Sequence, residues 1–193
     1  MSNFFYDLKV LPLGATITLE MIVKIDDANS ATMQTRRIKC AVFDLDGTLW
    51  VSTESFEYCK AQAMVISEQL KRLKSDHGLF IGVASFNHQV SDVIDDLFGR
   101  ENNLFDIVLS ESPSNNYDKS DMLRKVRRAY VNTHPSRKLK WDEMVFYDDN
   151  DEVLDKLRQT LPKLRVREVN GKRGVTQMNL ESLYVEIEES KKK

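Results

Sequence analysis

The chain has 193 residues, 41% hydrophobic and 30% charged, which suits one soluble domain with an appendage and a sizeable core. A formal net charge of −2 and a pI near 6.0 exclude a global field that would gather nucleic acid or an anionic membrane. Two cysteines, Cys40 and Cys59, make no disulfide framework, and His77, His88 and His134 are scattered without zinc-ligand spacing.

Residues 1–37 stand apart. Thr16 to Ile25 nearly alternates, with Ile17, Leu19, Met21, Val23 and Ile25 on one face, which is the pattern of a half-buried strand. Phe4, Phe5, Tyr6, Leu8 and Val10 suggest another, and Asp26 to Arg37 reads as a polar linker. This β-rich extension is expected to pack on the main domain, residues 38–190, or to serve as a homodimer contact, because an exposed alternating strand is an association hazard.

From Ile38 onward strand and helix signals alternate, which argues a parallel α/β sheet of Rossmann-like type flanked by helices. The strand at 39–44 leads to a helix around 54–74, with Phe56, Cys59, Ala63, Ile66 and Leu70 at helical spacing. Cys40 is read as a small core residue of the first strand. A second apolar strand, Leu79 to Ala84, ends at Ser85. A helix follows over 88–98 and stops at Gly99. The third strand is Phe105 to Leu109. Beyond it lie a Ser/Asn/Pro loop at 112–118 and a helix from about Lys119 to Asn132. The fourth strand, Met144 to Tyr147, runs into Asp148-Asp149-Asn150, and Asp149 or Asn150 is placed to cap the helix at 151–160. The fifth strand is Leu164 to Val169, and a last helix lies near 179–189. With no 18-residue apolar run and no basic-then-apolar leader, the expected setting is a reducing cytosol or nucleus, away from membranes.

Ligands of an open parallel sheet bind outside the carboxyl ends of its strands. The polar residues at three of those ends are Asp44 and Asp46, Ser85, and Asp148 with Asp149. Residues i and i+2 of extended chain point the same way, so Asp44 and Asp46 fall on one side of one small site. Two carboxylates that close ionise together only if a cation or an ordered proton offsets their repulsion. That arrangement suits magnesium-assisted phosphoryl transfer. Asp44 is the candidate nucleophile, and Asp46 the candidate acid and base. Ser85 offers a hydroxyl to a non-bridging phosphoryl oxygen. Lys119, at a helix start, would neutralise charge on the transferring group and on Asp44, in competition with Arg124 and Lys125 for that role. Asp44, Asp46, Asp148 and Asp149 are the candidate ligands for Mg²⁺. A strand-end Ser or a helix-start Lys is ordinarily a turn or surface residue, and Asp-x-Asp alone is an ordinary strand exit. Adjacent carboxylates after Val145-Phe146-Tyr147 resist the bland reading, since burying them at a sheet edge is costly without a cation.

These elements resemble the four signatures of the haloacid dehalogenase (HAD) superfamily of phosphohydrolases: Asp44-Leu45-Asp46-Gly47-Thr48, Ser85, Lys119 and Asp148-Asp149. The likeness spans about residues 38–185. Phe43-Asp44-Leu45-Asp46, Thr48-Leu49-Trp50, Val83-Ala84-Ser85 and the 144–149 run are most similar to the magnesium-dependent phosphatase-1 group. The resemblance implies a Rossmann-like core, an aspartyl-phosphate intermediate, Mg²⁺ dependence, and phosphotyrosine, phosphoprotein or sugar-phosphate substrates. The chain departs from that group at Gly47, where a bulkier residue is usual, and at Phe86-Asn87, where Arg commonly follows the serine.

Only about one helix fits between Trp50 and Leu79, and only a helix and a strand between Ser85 and Lys119, so the site is expected to be capless and open to a macromolecule. Trp50 and Asn87 join Ser85 and Lys119 as candidate substrate contacts, and Trp50 could equally be a packed rim residue. The phosphorylated substrate is the expected partner. One alternative is a nucleic-acid end phosphatase. The acidic charge argues against it, despite local basic clusters at 36–37, 125–128 and 137–140. The other is a binding or scaffold protein that keeps the fold without turnover.

Overall fold

The computed structural model describes residues 37–101, 103–112 and 118–192. The strands expected in the first 36 residues, and the homodimer contact assigned to them, lie outside the described residues. The chain runs β1 (Cys40–Phe43), α1 (Phe56–His77), β2 (Phe80–Ser85), α2 (Val90–Phe98), β3 (Ile107–Ser110), α3 (Ser120–Thr133), β4 (Met144–Asp148), α4 (Asp151–Thr160), β5 (Arg165–Glu168) and α5 (Gln177–Ser190). The strands form one parallel sheet in the order β3-β2-β1-β4-β5, with β1 at its centre. Val42, for example, lies between Gly82 and Phe146. This is the Rossmann-like α/β architecture that the alternation of elements predicts.

Central position explains the composition of β1. All four of its residues are buried, because helices cover both faces of a parallel sheet. The two-residue period of the strand sorts side chains between two cores. Ala41, Phe43, Ile81, Val83, Val145 and Tyr147 meet α1, α2 and α5 through residues such as Ile66, Leu70, Ile94 and Leu183. Cys40, Val42, Phe80, Ala84, Met144 and Phe146 meet α3 and α4 through Leu123, Val126, Leu154 and Leu157. Each fully buried side chain of this size contributes roughly 1.5–3 kcal/mol. Burial also pushes the Cys40 thiol far above its ordinary range, so it is an inert core residue.

Helix ends follow local chemistry. Ser55 caps α1 by accepting from Tyr58 N, and Gly78 ends it with φ 61°, a left-handed conformation that glycine adopts without strain. Asn150 caps α4 by accepting from Glu152 N and Val153 N, which decides between the two capping candidates. Phe56 corrects the expected inward face of α1: it is 47% exposed, whereas Cys59, Ala63, Ile66 and Leu70 are buried. Helical spacing fixes which face points at the sheet but not how far along the helix the core extends. Phe56 sits in the first turn, with the Lys60 ammonium 5.9 Å from its ring centroid. No described helix is long and apolar enough to cross a membrane.

Because all five strands are parallel, their C-terminal ends share one rim. A single helix, α1, separates β1 from β2, and among the described residues no cap domain stands over that rim.

Candidate active site

The rim begins where β1 runs out. Asp44 N still donates to Tyr147 O at 2.9 Å, and the chain then wraps around Leu45 O, which accepts from Thr48 N, Leu49 N and Trp50 N. Gly47 makes the turn at φ 70°. The wrap holds Asp44 at the strand end and sends Asp46 toward β2. Val175 N closes the far side by donating to Thr48 O at 2.7 Å.

Lys119 lies at the centre. Its side chain is 2% exposed, with Nζ 2.7 Å from Asp44 Oδ1 and 2.9 Å from Asp148 Oδ2. The rings of Phe86 and Phe146 flank the ammonium at 5.2 and 5.5 Å from their centroids. The rival cations are engaged elsewhere on α3, Arg124 with Asp121 and Lys125 with Glu111. Asp148 is wholly buried, and its Oδ1 accepts from Asn150 N at 2.9 Å. Asp149 is seated against backbone: a Cβ on Gly47 would lie 2.2 Å from its Oδ2, and one on Gly171 2.4 Å. Gly47 is therefore required twice, by its left-handed φ and by the carboxylate against it.

Ligand oxygens of Asp44, Asp148 and Asp149 lie within 4.8 Å of one another. Asp46 is outside that group; its Oδ1 accepts from Asn87 Nδ2 at 3.1 Å. The structure thus brings together three of the four expected carboxylate ligands and turns the fourth toward β2. Ser85 is buried at the end of β2, where its Oγ accepts from Asn87 N at 3.1 Å. Burial raises the carboxyl groups of Asp148, to about 6, and of Asp149; Lys119 pulls both back in part, against repulsion from Asp44. Burial raises Asp46 as well, opposed chiefly by the Asn87 hydrogen bond.

Above these groups opens a cleft of about 380 Å³. Asp44, Asp46, Ser85, Asp148 and Asp149 line it together with Phe86, Asn150, Val153, Ser52 and the glycines 47 and 171. Trp50 is not part of that lining. Its half-buried ring packs against the apolar clusters beneath α1 and α2. Sequence reasoning missed Gly171 and Phe146. The Asn170-Gly171 pair signals a turn, but nothing in it announces that the turn comes back to Asp149. Phe146 reads as a core strand residue, and only the fold shows its ring against the ammonium.

The three carboxylates oppose one ammonium, leaving two negative charges uncompensated if all are ionised. Asp44 Oδ1, though beside Lys119, accepts no aligned hydrogen bond among the described residues. Hard oxygen donors in a charge-deficient, largely buried cluster fit a divalent cation such as Mg²⁺.

No protein-family model and no curated protein sequence matches the chain. Among solved structures, the N-terminal part of the protein BF1531 from Bacteroides fragilis, containing a phosphatase domain complexed with Mg, aligns with a TM-score of 0.56 at 24% identity. That alignment covers 79% of this chain and 42% of the other, so the chain matches less than half of that protein's length. A β-phosphoglucomutase from Clostridium difficile (TM-score 0.49, 13% identity, 81% of this chain and 100% of that one) aligns more loosely. So does the haloacid dehalogenase-like hydrolase SP0104 from Streptococcus pneumoniae (TM-score 0.45, 16% identity, 76% and 90%). The chain therefore shares its parallel α/β fold with that Mg-complexed phosphatase domain.

Proposed function

We propose that the chain is a Mg²⁺-dependent phosphomonoesterase of the magnesium-dependent phosphatase-1 kind, working through an aspartyl-phosphate. One observation carries the reading: Asp44 stands at the floor of an open cleft, paired with a buried lysine and grouped with two further carboxylates whose surplus negative charge calls for a divalent ion. Asp44, Asp148 and Asp149 would hold Mg²⁺. When bound, the ion would neutralise charge on the phosphoryl oxygens and let a dianionic ester approach a carboxylate.

The remaining chemistry belongs to the chain. The Asp44 carboxylate attacks phosphorus in line, forming the acyl phosphate as the bond to the leaving oxygen breaks. Asp46, held at the mouth of the cleft with a raised carboxyl pKa, gives its proton to that oxygen. Water then attacks the acyl phosphate, passing a proton back to Asp46, and phosphate leaves with Asp44 restored. Ser85 donates its hydroxyl proton to a phosphoryl oxygen. Lys119, desolvated between two rings, holds the nucleophile in place.

The cleft walls favour a phosphorylated protein side chain, phosphotyrosine foremost, over a sugar phosphate. Among the described residues no arginine lines the cleft, Lys119 lies buried beneath its floor, and Phe86 with Val153 offers apolar surface to a flat leaving group. A polynucleotide end would need cationic contacts to its neighbouring phosphates, which this lining does not supply. Hydrolysis of para-nitrophenyl phosphate with and without Mg²⁺, with Asp44→Asn as control, tests the reaction. A phosphotyrosine peptide compared with hexose phosphates tests the substrate. Metal-independent turnover, or turnover that survives in Asp44→Asn, would overturn the mechanism.

A further inference from the structure

Asn87 stands where a direct contact to substrate is the first expectation, yet its side chain is already committed at both ends. Its Oδ1 accepts from Gln89 N at 2.8 Å, which fixes the orientation of the amide and leaves Nδ2 as the end that meets Asp46 Oδ1, 3.1 Å away. Its backbone is fixed as firmly. Asn87 N donates to Ser85 Oγ at 3.1 Å, and its carbonyl accepts from Val90 N at 3.2 Å and from Ser110 Oγ at 2.9 Å. Ser110 pairs with Ser85 in register at the ends of β3 and β2, so the residue is tied to two strands and to the first turn of α2.

We infer that Asn87 is a positioning residue that aims two groups of the site at once, Asp46 through its side-chain amide and Ser85 through its backbone N–H. The inference rests on the phosphatase reading above and concerns how Asp46 and Ser85 are presented. An amide N–H directed at Oδ1 of Asp46 makes that oxygen an acceptor. The transferable proton is therefore carried on Oδ2, in a carboxyl group whose rotation is arrested by the contact. A second N–H directed at the Ser85 oxygen occupies one of its lone pairs, so the hydroxyl proton is free to donate to a phosphoryl oxygen. Asn87 thus couples the proton donor for the leaving group with the hydroxyl that steadies the transferring group, from one rigid turn between β2 and α2. Its side chain is not part of the cleft lining, so its route to the chemistry runs through Asp46 and Ser85.

The bland reading is that Asn87 merely shapes the start of α2 through its turn hydrogen bond to Gln89. Asn87→Ser separates the two. A serine hydroxyl can still accept from the N–H two residues on, but cannot reach Asp46. The measurement is kcat/KM, which reports formation of the acyl phosphate, for 2,4-dinitrophenyl phosphate and for a simple alkyl phosphate with Mg²⁺ present. The first leaving group departs without a proton and the second needs one. General acid assistance is worth about 10²- to 10⁴-fold, so Asn87→Ser is expected to lose roughly tenfold or more on the alkyl ester relative to the aryl ester. Asp46→Ala should show the same bias more strongly, and adding Asn87→Ser to it should add no further bias, since the two act as one unit. Equal losses on both esters, or a loss confined to KM, would overturn the proposal in favour of a turn or a direct substrate contact. Wild-type protein that cleaves neither ester would instead remove the phosphatase reading, and this inference with it.

Discussion

Two ionic clusters on the same sheet are built on opposite terms. On β5, Arg165 and Arg167 both reach Glu186 of α5, with all three side chains between 21% and 31% exposed, and Arg167 also donates to Tyr147 Oη at 3.0 Å. In the cleft, Lys119 is 2% exposed and Asp148 0%, and one ammonium faces three grouped carboxylates. Water reaches and screens the first cluster, where two guanidinium groups against one carboxylate leave a single positive charge over at little cost. The second is dry and short of positive charge, a condition that costs several kcal/mol per ion unless something bound offsets it. A cluster near water can carry a leftover charge cheaply, whereas a buried one with leftover charge has the balance of a site that awaits a ligand.

The largest effect on that contrast is expected from Asp44, the proposed nucleophile. Asp44→Asn should remove at least about 10³-fold of metal-dependent phosphatase activity, because the amide cannot form the acyl phosphate. The fold should survive, since Lys119 keeps Asp148 as a partner at 2.9 Å. Steady-state turnover and circular dichroism on the same preparation check both halves.

Stability should separate the clusters almost as sharply. Lys119→Met leaves buried carboxylates with no internal cation and should cost about 3–5 kcal/mol, whereas Glu186→Gln in the half-exposed cluster should cost under about 1 kcal/mol. For a domain of this size the first is a melting shift on the order of 10 °C. Mg²⁺ should recover more of that loss in Lys119→Met than it adds to wild type. Equal costs for the two variants in thermal denaturation would break the comparison.

The same surplus charge gives the metal-free protein a pH signature. Burial raises Asp148, to about 6, and Asp149 in the folded state. Unfolded carboxyls lose their protons near pH 4, so over this interval the native state holds more protons and stability falls as pH rises. The penalty is absent below the unfolded pKa and fully developed above the folded one. Mg²⁺ binds the deprotonated forms, so the melting temperature gained from it should be largest above pH 6 and shrink as pH drops below. A gain that does not vary between pH 5 and 8 would show that these carboxylates do not carry the metal.

Much of this was legible before any coordinates, and the reason differs from element to element. β1, β2 and β4 are short apolar runs ending in polar residues, so periodicity places both the strands and the groups at their ends. Lys119 is another matter: Arg124 and Lys125 lie on the same helix, and no local pattern says which cation turns inward. Burial between Phe86 and Phe146 decides it, and those rings come from the exit of β2 and the middle of β4, 60 residues apart in sequence. Strand order is equally long-range. Asp46 shows the limit of period-two reasoning: spacing puts it beside Asp44, but the wrap around Leu45 O turns its carboxylate to Asn87. Ser110, which helps to fix Asn87, carries no signal of its own, because a serine at a strand end is ordinarily a turn residue.

The smallest expected effect isolates Asp149 from its neighbours. Gly171→Ala changes no charge and no ligand atom, yet the new Cβ would fall 2.4 Å from Asp149 Oδ2, so one of the two must move. The Asn170–Gly174 turn is closed by its own hydrogen bonds, Gly174 N and Arg173 N both donating to Asn170 O, and is anchored to the first loop through Val175. The carboxylate has less to hold it and should be the part that yields. If Asp149 is a ligand, its displacement should weaken Mg²⁺ roughly tenfold, in line with changes to groups that only orient ligands, while the metal-free melting temperature shifts little. If Asp149 is merely a neighbour of the site, the Mg²⁺ midpoint of the variant will match wild type, and the cation must be held by Asp44 and Asp148 with water. Titrating Mg²⁺ against melting temperature in the two proteins separates these outcomes without depending on turnover.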